Sequence, residues 1–469
     1  MNSLLTPACH VHFIGIGGAG LSAIAHVLQS LGYVVSGSDL ASNAATESLA
    51  LSGASVMKGH RAANVMGADL VVASSAVPLD NVEVVEARRR GITLVKRAEL
   101  LGHMMAGHTG VAVAGTHGKT TTTAMIAQVL LESGQDPSFI VGGVIGGLNA
   151  NARAGRGPFV LEADEYDRMF LGLRPQIAVV TNVEHDHPDC YPTCEAMVEA
   201  FEQFVARLPD DGVLIACWDD PTARRLGTLR QAQGKAVVLY GLDKGAAWRA
   251  VDIQANQAGG SDFVVIDGAR TVGLIRLRVP GVHNVQNSLA ALAVSGQLGV
   301  PFDQARNSLR EFLGVGRRFE IKGQAGGITV VDDYAHHPSE IRATLAAARA
   351  RFASRKLWAV FQPHTYSRAK AFLPGFAAAF READHVIVTE IFAARERDSL
   401  GVSGADIVAQ AGHGDARYIP SLEDAAAFLL DHARASDVII TLSAGDGNRV
   451  GQIVLESLAS HEQPTTSNE

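Results

Sequence analysis

Val111-Ala-Val-Ala-Gly115-Thr116-His117-Gly118-Lys119-Thr120-Thr121-Thr-Thr123 is a four-residue apolar run, a glycine turn and a threonine-rich stretch. The order predicts a strand over 111–114 and a helix over about 119–132. A glycine turn between strand and helix aims backbone N–H groups at an anion, and the helix N-terminus favours negative charge. Lys119 would neutralise the β/γ oxygens of a nucleoside triphosphate, and Thr120 would ligate Mg²⁺. The eight-residue form of this loop needs glycine at 113, where Val113 stands, so it is a variant phosphate loop.

Two further apolar runs, 159–161 and 177–180, end directly before polar clusters. Ligands of open α/β sheets lie at the carboxyl ends of strands. Glu162-Ala-Asp164-Glu165-Tyr-Asp167 therefore suits Mg²⁺ on phosphates, since Mg²⁺ takes few protein ligands and keeps waters. Thr181-Asn182-Val-Glu184-His185-Asp186-His187 could supply a second metal ligand. His185, His187, Cys190 and Cys194 are zinc-ligand residue types, but their spacing matches no zinc pattern.

Upstream, Gly15-x-Gly17-x-x-Gly20 follows a strand expected at 11–14 and opens a helix expected at 21–31. Such a loop reads a diphosphate, and Asp39 stands where it could meet a ribose hydroxyl. The loop alone fits NAD or another diphosphate nucleotide such as a UDP-sugar. Strands are also expected at 33–35, 70–73 and 93–95. Downstream of Gly314-Val-Gly316 a third alternating block has strands expected at 328–331, 357–361, 386–388 and 438–442. The pattern is α/β in three units, 1–107, 108–314 and 315–469, with a loose tail from about Ser460.

The 469 residues are 47 % hydrophobic and 19 % charged, as in a packed protein. A net charge of -8 without a basic block argues against nucleic acid or an anionic membrane as partner. Met1 to His10 shows no signal-peptide pattern, and no apolar run is long enough to span a bilayer. Four sparse cysteines suit a reducing compartment, so a cytoplasmic protein is expected. Nothing in the sequence fixes an oligomeric state.

The motifs together resemble the Mur ligase family of peptidoglycan precursor synthesis. They are Ala114 to Thr123, Glu162 to Asp167, Asn182 to His187, Pro280-Gly-Val-His283-Asn284-Val-Gln-Asn287, Gly316-Arg317-Arg318-Phe-Glu320, Val331-Asp-Asp333-Tyr334-Ala-His336-His337-Pro338 and Gln362-Pro-His364-Thr-Tyr-Ser-Arg368. Ile14 to Gly20 and Gly37-Ser-Asp39 add to them.

The resemblance implies a Rossmann-like UDP-sugar domain, a central P-loop ATPase domain and a C-terminal Rossmann-like amino-acid domain. It implies ATP and Mg²⁺ as cofactors and UDP-N-acetylmuramate and L-alanine as substrates. Gly15, Gly17, Gly18, Gly20 and Asp39 would then hold the UDP-sugar. Gly115, Thr116, His117, Gly118, Lys119, Thr120 and Thr121 would hold the ATP phosphates, with Asn284 and Asn287, beside His283, on the adenosine side. Thr120, Glu162 and His187 would be the metal ligands. Arg318 would reach the triphosphate and Asp333 the nucleotide. Tyr334, His336, His364 and Arg368 would form the amino-acid pocket.

Many family members carry arginine where Thr365 stands, which leaves Arg368 as the lone guanidinium of its segment. No lysine occurs from Tyr191 to Arg207, so no carbamylated lysine is expected and the second metal falls to His187. The implied reaction forms an acyl phosphate at the γ-phosphoryl group. Lys119, Glu162, His187 and Arg318 would be catalytic there, with His336 as base for the amine. Gly314 to Gly316 would be the hinge of closure over the site. Competing readings are a ligase that attaches a tripeptide to the same UDP-sugar, an NAD-dependent oxidoreductase and a nucleotide-binding regulator without turnover.

Overall fold

A computed structural model describes residues 4–6 and 8–462 as three sheets. The first contains β1 (His10–Ile14), β2 (Val34–Asp39), β3 (Ser55–Lys58), β4 (Leu70–Ala73) and β5 (Thr93–Lys96). Its order is β3-β2-β1-β4-β5, and every pairing is parallel. The order reverses at β1, so the loop from Gly15 opens at the switch point where such sheets bind ligands. The strand expected at 33–35 runs on to Asp39. Its polar residues can be buried because each finds a partner: Ser36 Oγ pairs with His12 Nδ1 at 2.8 Å, and Ser38 Oγ donates to Glu83 Oε2 at 2.6 Å.

The second sheet contains β6 (Gly110–Ala114), β7 (Ser138–Ile145), β8 (Ala150–Arg153), β9 (Phe159–Glu162), β10 (Ile177–Val180), β11 (Val213–Cys217), β12 (Val237–Gly241), β13 (Trp248–Ala255), β14 (Ser261–Asp267) and β15 (Arg270–Arg276). The order is β15-β14-β13-β12-β11-β10-β6-β9-β7-β8. The central strands are parallel and mostly apolar, whereas β13, β14 and β15 pair antiparallel. β14 alternates buried and half-exposed residues, the pattern of a sheet with one wet face. Helix Lys119–Glu132 starts and stops as expected, and residues 120–130 are all buried.

The third sheet contains β16 (Glu320–Ala325), β17 (Ile328–Asp333), β18 (Leu357–Gln362), β19 (His385–Val388), β20 (Ala416–Tyr418) and β21 (Val438–Ser443), in the order β16-β17-β21-β18-β19-β20. Only β16 is antiparallel to its neighbour. Helix Arg449–Glu462 continues through Ser460, where the loose tail was expected to start, and residues 463–469 lie outside those described.

One large apolar core runs through the first and second units, from Cys9 to Val315. The third unit has its own clusters, around Phe361 and around Ile439. It meets the rest chiefly through polar contacts, the usual condition for relative movement. The expected hinge is not free at Gly314 to Gly316. Gly146 N–H donates to Gly314 O, Gly316 N–H donates to Val144 O, and Val315 is buried. These bonds tie the segment to β7 and the turn after it. The left-handed backbone at Arg317 (φ 60°) and Phe319 (φ 48°) comes just after it.

Candidate active site between the second and third units

The phosphate loop is clamped from the end of β10. Asn182 accepts from Thr116 N–H through its carbonyl (2.9 Å) and from His117 N–H through Oδ1 (2.8 Å), and Thr181 Oγ1 donates to His117 O at 2.6 Å. Gly118 precedes the helix with φ 82°, and a Cβ there would sit 2.7 Å from Asn287 Oδ1. Only glycine combines that backbone with that approach. Asn287 Nδ2 donates to Asn284 Oδ1 (3.1 Å), and Asn284 Nδ2 donates to Pro280 O (2.7 Å). Neither asparagine caps its helix, whose N-cap is Gly281. Both are buried and aimed at a cavity of about 240 Å³. His117, Thr120, Thr121, His283, Arg318 and Asp333 also line it.

Lys119 Nζ donates to Gly115 O (2.6 Å), Thr116 O (3.1 Å) and Glu165 Oε1 (2.9 Å). Burial alone would lower its pKa, but the carboxylates of Glu165 and Asp164 raise it above the usual value. It is a cation held in place. Glu162 lies under the loop, and burial raises its carboxyl pKa despite the Gly142 N–H and Lys119. The partners of His187 Nε2 are Glu165 (3.5 Å) and Asp186 (3.8 Å). Glu165 Oε2 is buried without a hydrogen-bond partner. A buried carboxylate with Oε1 on a lysine and near a histidine, and with Oε2 unpartnered, fits a divalent cation with oxygen ligands. Glu165 was missed as a site residue because one acidic cluster offers four carboxylates and no sequence signal ranks them.

The third unit closes the site. Arg318 Nη2 donates to Thr120 Oγ1 at 3.3 Å and its guanidinium stacks 4.8 Å over the Tyr334 ring. Arg317 pairs with Asp332 (3.2 Å), so these arginines are not a solvated pair. Asp333 does not cap the next helix, whose N-cap is His337. It accepts from Phe319 N–H (2.7 Å) and Ala335 N–H (2.8 Å), and burial pushes its pKa to about 6.

His336 Nδ1 donates to Tyr334 O (2.9 Å), which leaves Nε2 as an acceptor. Burial drives its pKa to about 3. Burial thus favours the neutral imidazole, with Nε2 as its acceptor nitrogen. Arg368, expected to receive a substrate carboxylate, already donates from Nε to Asp186 Oδ1 (2.8 Å) and from Nη1 to His364 O (2.9 Å). Nη2 is its least engaged nitrogen, 3.5 Å from His187 Nδ1. His364, pushed by burial to about 4, stacks on Phe392.

His117, Glu184 and His337 are the one set of three metal-ligand side chains drawn together among the described residues. His117 has both nitrogens on carboxylates, Glu184 at 3.2 Å and Glu340 at 3.1 Å, and its pKa rises to about 9 although burial opposes it. A doubly bonded imidazolium offers no lone pair to a metal. The zinc-type set His185, His187, Cys190 and Cys194 does not converge: His185 Nε2 is on Tyr191 O, and Cys194 is exposed.

At the first loop, Asp39 Oδ2 accepts from Gly17 N–H at 2.9 Å, and Asn43 Nδ2 donates to Gly17 O at 3.1 Å. Asp39 thus secures the loop, where a ribose contact was expected. Gly18 is the N-cap of helix Ala19–Ser30, and Gly20 leaves room for the guanidinium of Arg97, which also reaches Asp164 at 2.9 Å.

A mostly parallel three-unit α/β fold with a phosphate loop facing the third unit defines a nucleotide-binding enzyme class. Residues 10–109 match the Mur ligase family catalytic domain, 113–295 the Mur ligase middle domain, and 317–445 the Mur ligase glutamate ligase domain. The chain belongs to the Mur ligase family. It is 46 % identical to the UDP-N-acetylmuramate–L-alanine ligase of Renibacterium salmoninarum over 97 % of each chain. It is 43 % identical to that of Syntrophus aciditrophicus over 96 % of this chain and 93 % of the other. Among solved structures, the UDP-N-acetylmuramate–alanine ligase of Thermotoga maritima superposes with a TM-score of 0.81 at 30 % identity, over 97 % of this chain and 100 % of that one. A murein peptide ligase from Psychrobacter arcticus gives 0.71 at 28 %, over 96 % and 98 %.

Proposed function

We propose that this protein joins L-alanine to UDP-N-acetylmuramate at the expense of ATP, in peptidoglycan precursor synthesis. The observation that carries the reading is the near-full-length identity to relatives named for that reaction, which extends through the third unit. Residues 1–107 would hold the UDP-sugar, with its diphosphate at Gly15 to Gly20. Residues 108–314 would hold ATP, and 315–469 the amino acid.

The substrate carboxylate attacks the γ-phosphoryl group, ADP leaves, and an acyl phosphate forms. Lys119 and Arg318 neutralise the phosphoryl oxygens as charge develops. Thr120, Glu162 and His187, with Glu165 alongside, would hold Mg²⁺, which supplies further charge neutralisation. The alanine amine then attacks the acyl carbon and phosphate leaves. His336 accepts a hydrogen bond from that amine through Nε2. Burial favours its neutral form, which suits it to orient the amine for attack. Closure keeps water from the acyl phosphate.

The test supplies ATP, Mg²⁺ and UDP-N-acetylmuramate with L-alanine, glycine, L-serine or the tripeptide, and reads product mass with phosphate release. L-alanine is expected to win. Preference for the tripeptide would replace this reading with the recycling ligase. Among the described residues no helix is long and apolar enough to cross a membrane.

A further inference from the structure

Glu340 joins two parts of the site that no sequence motif links. It is the third residue of helix Pro338–Arg351. Its Oε2 accepts from the backbone N–H of His336 (3.0 Å) and of His337 (3.2 Å), as a capping glutamate does. Its Oε1 lies 3.1 Å from Nδ1 of His117, across 223 residues of sequence. The other ring nitrogen of His117 is on Glu184, and its backbone is clamped by Thr181 and Asn182. One half-buried carboxylate therefore fixes the segment that carries Tyr334 and His336 and also grips the loop that carries Lys119. A cap needs only Oε2. The second oxygen has no role in the helix.

We propose that Glu340 is a positioning residue that, through His117, sets the amine-binding segment against the phosphate loop so that the acyl phosphate meets the amine before it meets water. The proposal rests on the ligase reading above. In the productive route the amine nitrogen bonds to the acyl carbon, the bond from that carbon to the phosphate oxygen breaks, phosphate leaves with the electron pair, and the proton lost by the nitrogen ends on the departing phosphate. In the competing route the oxygen of water takes the nitrogen's place. The carboxylate is regenerated, and ATP is hydrolysed with no amide formed. Loss of the Glu340–His117 contact lets the third unit sit loosely and opens the second route.

The experiment compares the full-length wild type with Glu340→Gln, His117→Asn and the double variant. Phosphate and amide are measured in the same reaction, and ATP affinity by equilibrium binding. The wild type is expected to release one phosphate per amide. Glu340→Gln is expected to bind ATP like the wild type, to release phosphate in excess of amide, and to raise the KM for the amine about tenfold, the size of one charge-assisted contact. The double variant should be no worse than the poorer single variant. One phosphate per amide in Glu340→Gln, or losses that multiply in the double variant, would overturn the proposal. Where Glu340→Gln no longer binds ATP, His117→Asn, which leaves the helix cap intact, decides by the same ratio. A wild type that forms no amide with any amine would overturn the ligase reading instead.

Discussion

Arg368 and Asp186 lie 182 residues apart in sequence and form a buried ion pair, Nε to Oδ1 at 2.8 Å, with side chains 6 % and 5 % exposed. The pair pins the third unit to the polar end of β10. Burial opposes both charges, but each raises the stability of the other's: the Asp186 carboxyl is held well below its usual pKa and the Arg368 guanidinium above its own.

Asp186→Ala strands a buried guanidinium, which costs about 3–5 kcal/mol where such pairs are broken. The third unit has separate cores, so the loss should fall on its docking. Calorimetry is expected to show two transitions in place of one. A single transition at the wild-type midpoint would count against the pair as the main attachment. Because the folded pKa of Asp186 is depressed, its contribution is present above about pH 4, the unfolded value, and is lost as pH falls further through the folded value.

His117 gives the opposite sign. Its folded pKa of about 9 lies above the unfolded value of about 6.5. Its pairing with Glu184 and Glu340 therefore contributes fully below pH 6.5 and fades as pH rises through 9. Thermal stability of the nucleotide-free protein should fall over that window, and His117→Asn should flatten the fall. Parallel curves for the two proteins would exclude the assignment.

Lys119→Met removes the cation at the loop while its aliphatic stem is retained. Turnover is expected to drop by about 10²–10³-fold or more, as for loss of one preorganised charge contact. Unfolding should change less, since the buried Glu165 keeps His187 nearby and can protonate. Initial rates of phosphate release at saturating substrates give the answer.

Gly118→Ala meets both a left-handed backbone and Asn287 Oδ1. The strain is worth about 1–3 kcal/mol. ATP affinity is expected to fall with it, because the loop and the Asn284–Asn287 pair must move together. Equilibrium nucleotide binding with wild-type affinity would show that the contact relaxes freely.

Several features were legible before any fold was known. β4, β10 and helix Lys119–Glu132 fall on their expected residues, because continuous apolar runs and a glycine-to-helix junction are local signals. β8, β16 and β20 carry no such run. They are edge strands whose partners, rather than their own side chains, make them strands. Glu340 was invisible as a site residue for a related reason. Its sequence neighbourhood announces only a helix start.

By itself the sequence determined the α/β class, the three units, the phosphate loop and the family, since these rest on short-range patterns and motif order. The tertiary structure alone decided which carboxylate each cation meets: Glu165 for Lys119, Asp186 for Arg368, Glu340 for His117. It also turned the Gly115 to Thr120 loop from an isolated anion cradle into one face of a cleft whose other face is the third unit. Charges find partners through space, and a spacing of 182 or 223 residues carries no trace of a 3 Å contact.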